Sequence, residues 1–254
     1  MALFTDGGIS DMGDLTAQDS QLLNVAEVEY IDVTQKLALA QGELSVELDT
    51  LLTRLTYVEQ PFWYMAPPKI NTVVVTAPLK MWHTFRALEM VYADAYNSQL
   101  NDRYAGKRDY FHDRAKWAFE KLVETGIGIA QDPIPRAATP QVIAVTGSLP
   151  DGTYYVTMAW LNRAGEEGAS ALPAVVTITG STLLVQPASA PPNATGWKVY
   201  LGGDSGTMVQ QNSLPIALGS NWIQPNPAIA TGPAPGTGQL PTYLRPAPRV
   251  IQRG

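Results

Sequence analysis

From Pro78 to Gly128 the apolar positions fall at helical spacing. Met81, Phe85, Leu88, Tyr92 and Ala95 lie three or four residues apart, which puts them on one side of a helix. Thr76 is placed to cap that helix, and Pro78 sits in its first turn, where a missing N–H costs nothing. A break is expected within 97–106. After it Phe111, Ala115, Ala118 and Leu122 open a second stripe flanked by charged residues, which Gly126 ends as a left-handed C-cap. Two helices of roughly 20 residues, each about 30 Å long, predict an antiparallel pair on which other elements pack. Upstream, Leu37, Leu44, Leu48, Leu51 and Leu55 share one side of a further helix opened by Asp32 or Thr34. That helix carries Gly42 at a cost of about 1 kcal/mol relative to alanine. Thr16 and Asp19 have capping-box spacing ahead of LLNVAEVEY, so a short first helix is expected. Residues 1–14 show no period and hold Gly7, Gly8 and Gly13; they are expected to be mobile until bound.

The helical period breaks at YVEQPFWYMAPPKINTVVVTAP, where Pro61, Pro67 and Pro68 surround Phe62, Trp63 and Tyr64. Within it Thr72, Val73, Val74 and Val75 form a β-branched run too short for a helix. A lone strand there leaves backbone groups unpaired, which makes it a candidate subunit-interface strand. QDPIPRAATP reads as a linker, and from Gln141 the period becomes two. QVIAVTG, GTYYVTMAWLN, AVVTITG, TLLVQP, GWKVYLG and TMVQQN are strand-sized runs separated by turn signals such as PDG, PPNATG and GGDSG. Their spacing fits a small β-sandwich of the immunoglobulin or fibronectin III kind, with Trp160 and Trp197 as core candidates. The expected fold class is therefore α+β multidomain: a mobile 1–14, an α-helical bundle of about four helices over 15–138, a β-sandwich over 139–224 and an extended arm over 225–254. The arm is rich in proline and glycine, which excludes a helix or a central strand. Near its end Tyr243, Leu244, Val250 and Ile251 are mixed with Arg245, Arg249 and Arg253, a composition suited to a docking peptide.

Composition supports the division. Before Pro140 stand 12 Lys or Arg and 19 Asp or Glu; beyond it stand five and four, together with 13 of the 20 prolines. The chain of 254 residues exceeds the usual single-domain size. Its formal net charge of -6 argues against a nucleic-acid-binding surface, which needs Lys and Arg gathered on one face. With no cysteine there is neither disulfide nor thiolate chemistry, and two isolated histidines offer no recognisable metal cluster. No long apolar run marks a membrane span, and MALFTDGGISDMGD has no signal-peptide pattern.

Catalytic chemistry is sought first at the histidines. His83 and His112 lie on the two predicted helices, without a third ligand or a nucleophile at recognisable spacing, and read as ordinary helix residues. Pairs such as Glu43/Glu47 and Asp109/Asp113 could bind a hard cation, but solvated helix faces produce them routinely. The glycines of GGDSG lack the lysine and the strand-to-helix context of a phosphate loop. Asn193-Ala194-Thr195 matches the glycosylation sequon within a turn. No catalytic, cofactor or metal site is expected, and the chain does not read as an enzyme. Trp222 or Tyr155, if exposed, could stack on sugars, which keeps a carbohydrate- or host-surface-binding module as the alternative reading.

The blocks KLALAQGELSVEL and LKMWHTFRALEMVYADAYNSQLNDRYAGKRDYFHDRAKWAFEKLVETGIGIAQDPIPRA resemble the helical head-to-tail adaptor, or connector, proteins of tailed bacteriophages, over a span from Asp14 to Arg136. GTYYVTMAWLNRAGEEGASALPAVVTITGSTLLVQPASAPPNATGWKVYLG is similar to the immunoglobulin- or fibronectin-like modules of phage structural proteins. The resemblance implies a virion protein of the capsid vertex, present in the host cytoplasm during assembly. Such proteins form a ring, usually a dodecamer, on the portal protein and provide the surface on which the tail or a stopper docks. Genomic DNA passes through the centre of the ring without specific binding, and no membrane or cofactor is involved. A C-terminal arm reaches into the portal; here the candidates are Tyr243, Leu244, Arg245, Arg249, Val250, Ile251 and Arg253. The sandwich is an addition to the minimal adaptor, and it leaves open whether the arm departs from the helices or from the sandwich.

Overall fold

The computed structural model describes residues 1–59, 68–99, 102–225 and 229–245, without the side chains of 55–59 and 99. Helices fill the first half and antiparallel sheets the second, so the chain is α+β. It divides into two compact units: Gly7–Ile129 with Thr242–Gly254, of which only Thr242–Arg245 are described, and Met1–Asp6 with Ala130–Pro241.

The helical unit holds α1 (Met12–Gln18), α2 (Leu22–Val28), α3 (Val33–Glu59), α4 (Ala77–Gln99) and α5 (Ala105–Thr125). α4 is central, with α1, α2, α3 and α5 all packed on it. That is why its burial exceeds one stripe: Trp82, His83, Ala87 and Val91 are buried along with Phe85, Leu88, Tyr92 and Ala95, whereas Met81 is only partly covered. α4 and α5 run antiparallel, joined by rings at Trp82–Phe119 (4.9 Å) and Tyr92–Phe111 (5.6 Å). The stripe expected on α5 is buried at Phe111, Ala115, Ala118 and Leu122. Asp32 caps α3, accepting from the Thr34 and Gln35 amides at 2.9 and 3.1 Å. Ala40, Leu44, Leu48 and Leu52 are its buried stripe, so Leu52 replaces the expected Leu51, and the Leu55 side chain lies outside the described residues.

Three local expectations are corrected. Residues 1–14 are structured rather than a free lead: Leu3, Phe4 and Ile9 are buried, and Asp11 and Asp14 close the capping box of α1. Thr16 does not cap a helix, because it already lies inside α1 and its hydroxyl turns back to the Met12 carbonyl. The Thr76 carbonyl accepts the first α4 bond, from the Lys80 amide, but its buried hydroxyl makes no capping bond.

The second unit is a β-sandwich. β1 (Ile127–Ile129) and β9 (Thr242–Leu244) belong to the helical unit; between them the chain forms β2 (Gln141–Thr146), β3 (Gly152–Leu161), β4 (Ala174–Ile178), β5 (Ser181–Gln186), β6 (Gly196–Gly202), β7 (Val209–Gln210) and β8 (Trp222–Ile223). The sheets have orders β2-β5-β8 and β4-β3-β6-β7. Tyr154, Val156, Met158 and Trp160 alternate along β3 into one core with Val185 of β5 and Trp197 of β6. The opposite face of β3 is covered as well, with Tyr155 and Ala159 against Tyr200 and Met208. All six predicted runs are strands; β8 is too short to announce itself.

Candidate docking site

Gly126 ends α5 at φ 97° and ψ 158°, a positive-φ extended conformation rather than the expected left-handed cap. A β-carbon there would lie 2.8 Å from the Leu244 carbonyl oxygen and 2.7 Å from Arg245 Cγ, so glycine is what lets the two segments meet. β1 then pairs antiparallel with β9, in the register Ile127↔Leu244, Gly128↔Tyr243 and Ile129↔Thr242. Arg245 Nε donates to the Thr125 carbonyl at 2.9 Å and fixes the next residue to the end of α5.

The run 72–75 lies on the other side of β1. Val73 bridges Ile129, and the Val74 amide donates to Gly128 at 2.8 Å. Val73 and Val74 are fully buried, Thr72 lies in a 3-10 turn and Val75 is partly covered. The expected lone strand is thus paired within its own chain, by a partner too distant in sequence to be foreseen, and the motive for pairing it with a neighbouring subunit falls away.

Of the arm candidates, Tyr243 is 45% exposed and Leu244 partly buried in β9, with Arg245 directly after. Arg249, Val250, Ile251 and Arg253 lie outside the described residues, as do Phe62, Trp63 and Tyr64. Upstream of β9 the arm is not free. The Gln210 amide donates to the Pro233 carbonyl at 2.9 Å, which covers the β7 edge. The buried Gln239 side chain accepts from the Ile134 amide at 2.7 Å and donates to the Asp132 carbonyl and to Glu166, each at 2.9 Å. Nothing in the sequence singles out Gln239. Its role follows from Asp132 and Glu166 being brought to it by the fold.

The remaining candidates have structural partners. His83 is fully buried on α4 and bonds through Nε2 to the Leu37 carbonyl at 3.0 Å; burial pushes its pKa down, against the pull of that bond. His112 bonds instead to Glu89, at 2.9 Å. Among the described residues no three His, Asp or Glu are grouped so as to hold a metal ion, and no helix is long and apolar enough to cross a membrane. Asn193 donates to Asp132 and to the Pro133 carbonyl. Trp222 is 9% exposed within the sandwich core, and Tyr155 packs on Tyr200, so neither offers a free face to a sugar. No protein-family model matches the chain, and no curated protein is significantly similar to it in sequence.

Proposed function

We propose that the protein is a structural head-to-tail adaptor. Copies of it form a ring on the portal of a tailed-phage capsid, the residues beyond Arg245 dock into the portal, and the far side of the ring receives the tail or a stopper. The observation that carries this reading is the β1–β9 pair. After the whole sandwich the chain returns to the helical unit, so the basic and apolar segment PAPRVIQRG starts from the end of α5. A ring repeats such a segment in every copy, and modest single-chain affinity then becomes a stable joint. The net charge of -6 suits a channel in which phosphates must slide rather than bind.

Removal of residues 246–254 tests the proposal. The cut must fall after Arg245, since an earlier one also removes β9. The shortened chain is expected to keep its helical circular dichroism and cooperative unfolding and to lose binding to purified portal rings; undiminished binding would sink the arm's role. Replacing Arg249 and Arg253 with alanine should weaken binding more at low salt than at high salt, where ionic contacts are screened.

A further inference from the structure

Between α3 and α5, floored by α4, the helical unit carries an open groove of about 550 Å³. Its apolar surface comes from Leu44 and Val46 of α3, Trp82 of α4 and Phe119 of α5. Val46 stands 68% exposed on the wall, continuous with the apolar surface of the groove. The rim is charged. Glu43 and Glu89 hold Arg86 at 2.7 Å each, Glu89 also bonds His112 at 2.9 Å, and Glu47 and Lys116 line the groove as well, so three carboxylates stand with two permanent cations and one histidine.

We infer that this groove receives the chain's own last nine residues, 246–254. Their chemistry matches it: Val250 and Ile251 for the apolar floor, Arg249 and Arg253 for the carboxylates of the rim. Reach allows it. Arg245 is pinned to Thr125 at the C-terminal end of α5. Phe119 lies about 9 Å back along that helix and His112, at the far end of the groove, about 20 Å back. Nine extended residues span up to about 30 Å, so the segment can cover the groove's whole length without leaving its own chain. The inference is independent of the portal reading, which concerns the same residues in the assembled particle.

The absence of cysteine from the sequence gives a clean test in the full chain. Val46→Cys combined with Ile251→Cys places one thiol on the groove wall and one in the segment. Val28→Cys with Ile251→Cys is the control, since Val28 is exposed on α2 and does not line the groove. Under mild oxidation at low protein concentration the 46/251 pair should close within one chain at least tenfold faster than the 28/251 pair, read on a non-reducing gel. Equal rates for the two pairs, or disulfides only between chains, would overturn the inference. Portal binding is measured separately on the parent chain, so a failure there leaves this result standing.

Discussion

Asp19 shows how much one buried carboxylate can organise. It is 6% exposed between α1 and α2, and it accepts from the Tyr92 hydroxyl and Lys107 Nζ, both at 2.7 Å, and from the Gln21 amide at 3.0 Å. Burial alone would raise its pKa, but the bonds from Lys107, Tyr92 and Gln21 outweigh that and hold it below the ordinary carboxyl value. Tyr92 is pushed up by burial and by the same carboxylate. Asp19→Asn should therefore lower stability by about 2–3 kcal/mol at neutral pH. A depressed pKa contributes stability that is present above the unfolded value, near 3.9, and is lost as pH falls through the folded one, so the gap between parent and variant should shrink in urea titrations below about pH 4. His83 has the opposite consequence. Its lowered pKa means that the unfolded chain takes up the proton first, and stability should fall as pH drops below about 6.5. His83→Gln, which keeps a donor for Leu37, should flatten that slope when denaturant midpoints at pH 7 and pH 5.5 are compared. The sequence places both residues on or next to helices but conceals these roles, since the partners of Asp19 come from α4 and α5.

Elements with internal periodicity were readable and those built from distant pairing were not. Phe111, Ala115, Ala118 and Leu122 identify the buried side of α5 because one packing surface imposes one stripe. α4 hides more, since a helix packed on several sides buries alanines and a histidine that no amphipathic pattern marks. Val73 and Val74 were readable as extended, whereas their partners at Gly128 and Ile129 were not. The residue that permits the closure is Gly126, so Gly126→Ala tests the element as a whole. The strained φ and the approach to Leu244 and Arg245 should together cost about 1–3 kcal/mol. The loss should be local: amide exchange in β9 is expected to quicken markedly while β6 in the sandwich keeps its protection, and unchanged exchange in β9 would contradict the role given to the glycine.

The division into helical and β-rich parts followed from the shift in charge and period near Pro140, because both properties are set residue by residue. The order of the chain through the two units did not. It passes at Asp6 to the helices, at Ala130 to the sandwich and at Thr242 back again, so that Ala130–Pro241 is inserted into the helical unit while Met1–Asp6 belongs with the sandwich. QDPIPRAATP, expected as a linker, already belongs to the sandwich unit, with Ile134 and Ala137 in its buried core. The register supplies a strong test, since Ile129 and Thr242 stand directly opposite each other in an antiparallel pair. Replacing residues 130–241 by Asn-Gly should close β1 and β9 into a two-residue hairpin of the type those residues favour. A chain that begins at Gly7, so that Leu3 and Phe4 are not left without the unit they belong to, is expected to keep helical far-UV dichroism and to unfold cooperatively in urea. The same chain ending at Ile129 lacks β9 and should unfold at lower denaturant. If the two shortened chains had equal midpoints, β9 would add nothing to the helical unit; if the Asn-Gly chain failed to fold, the sandwich would be required by the helices rather than carried by them.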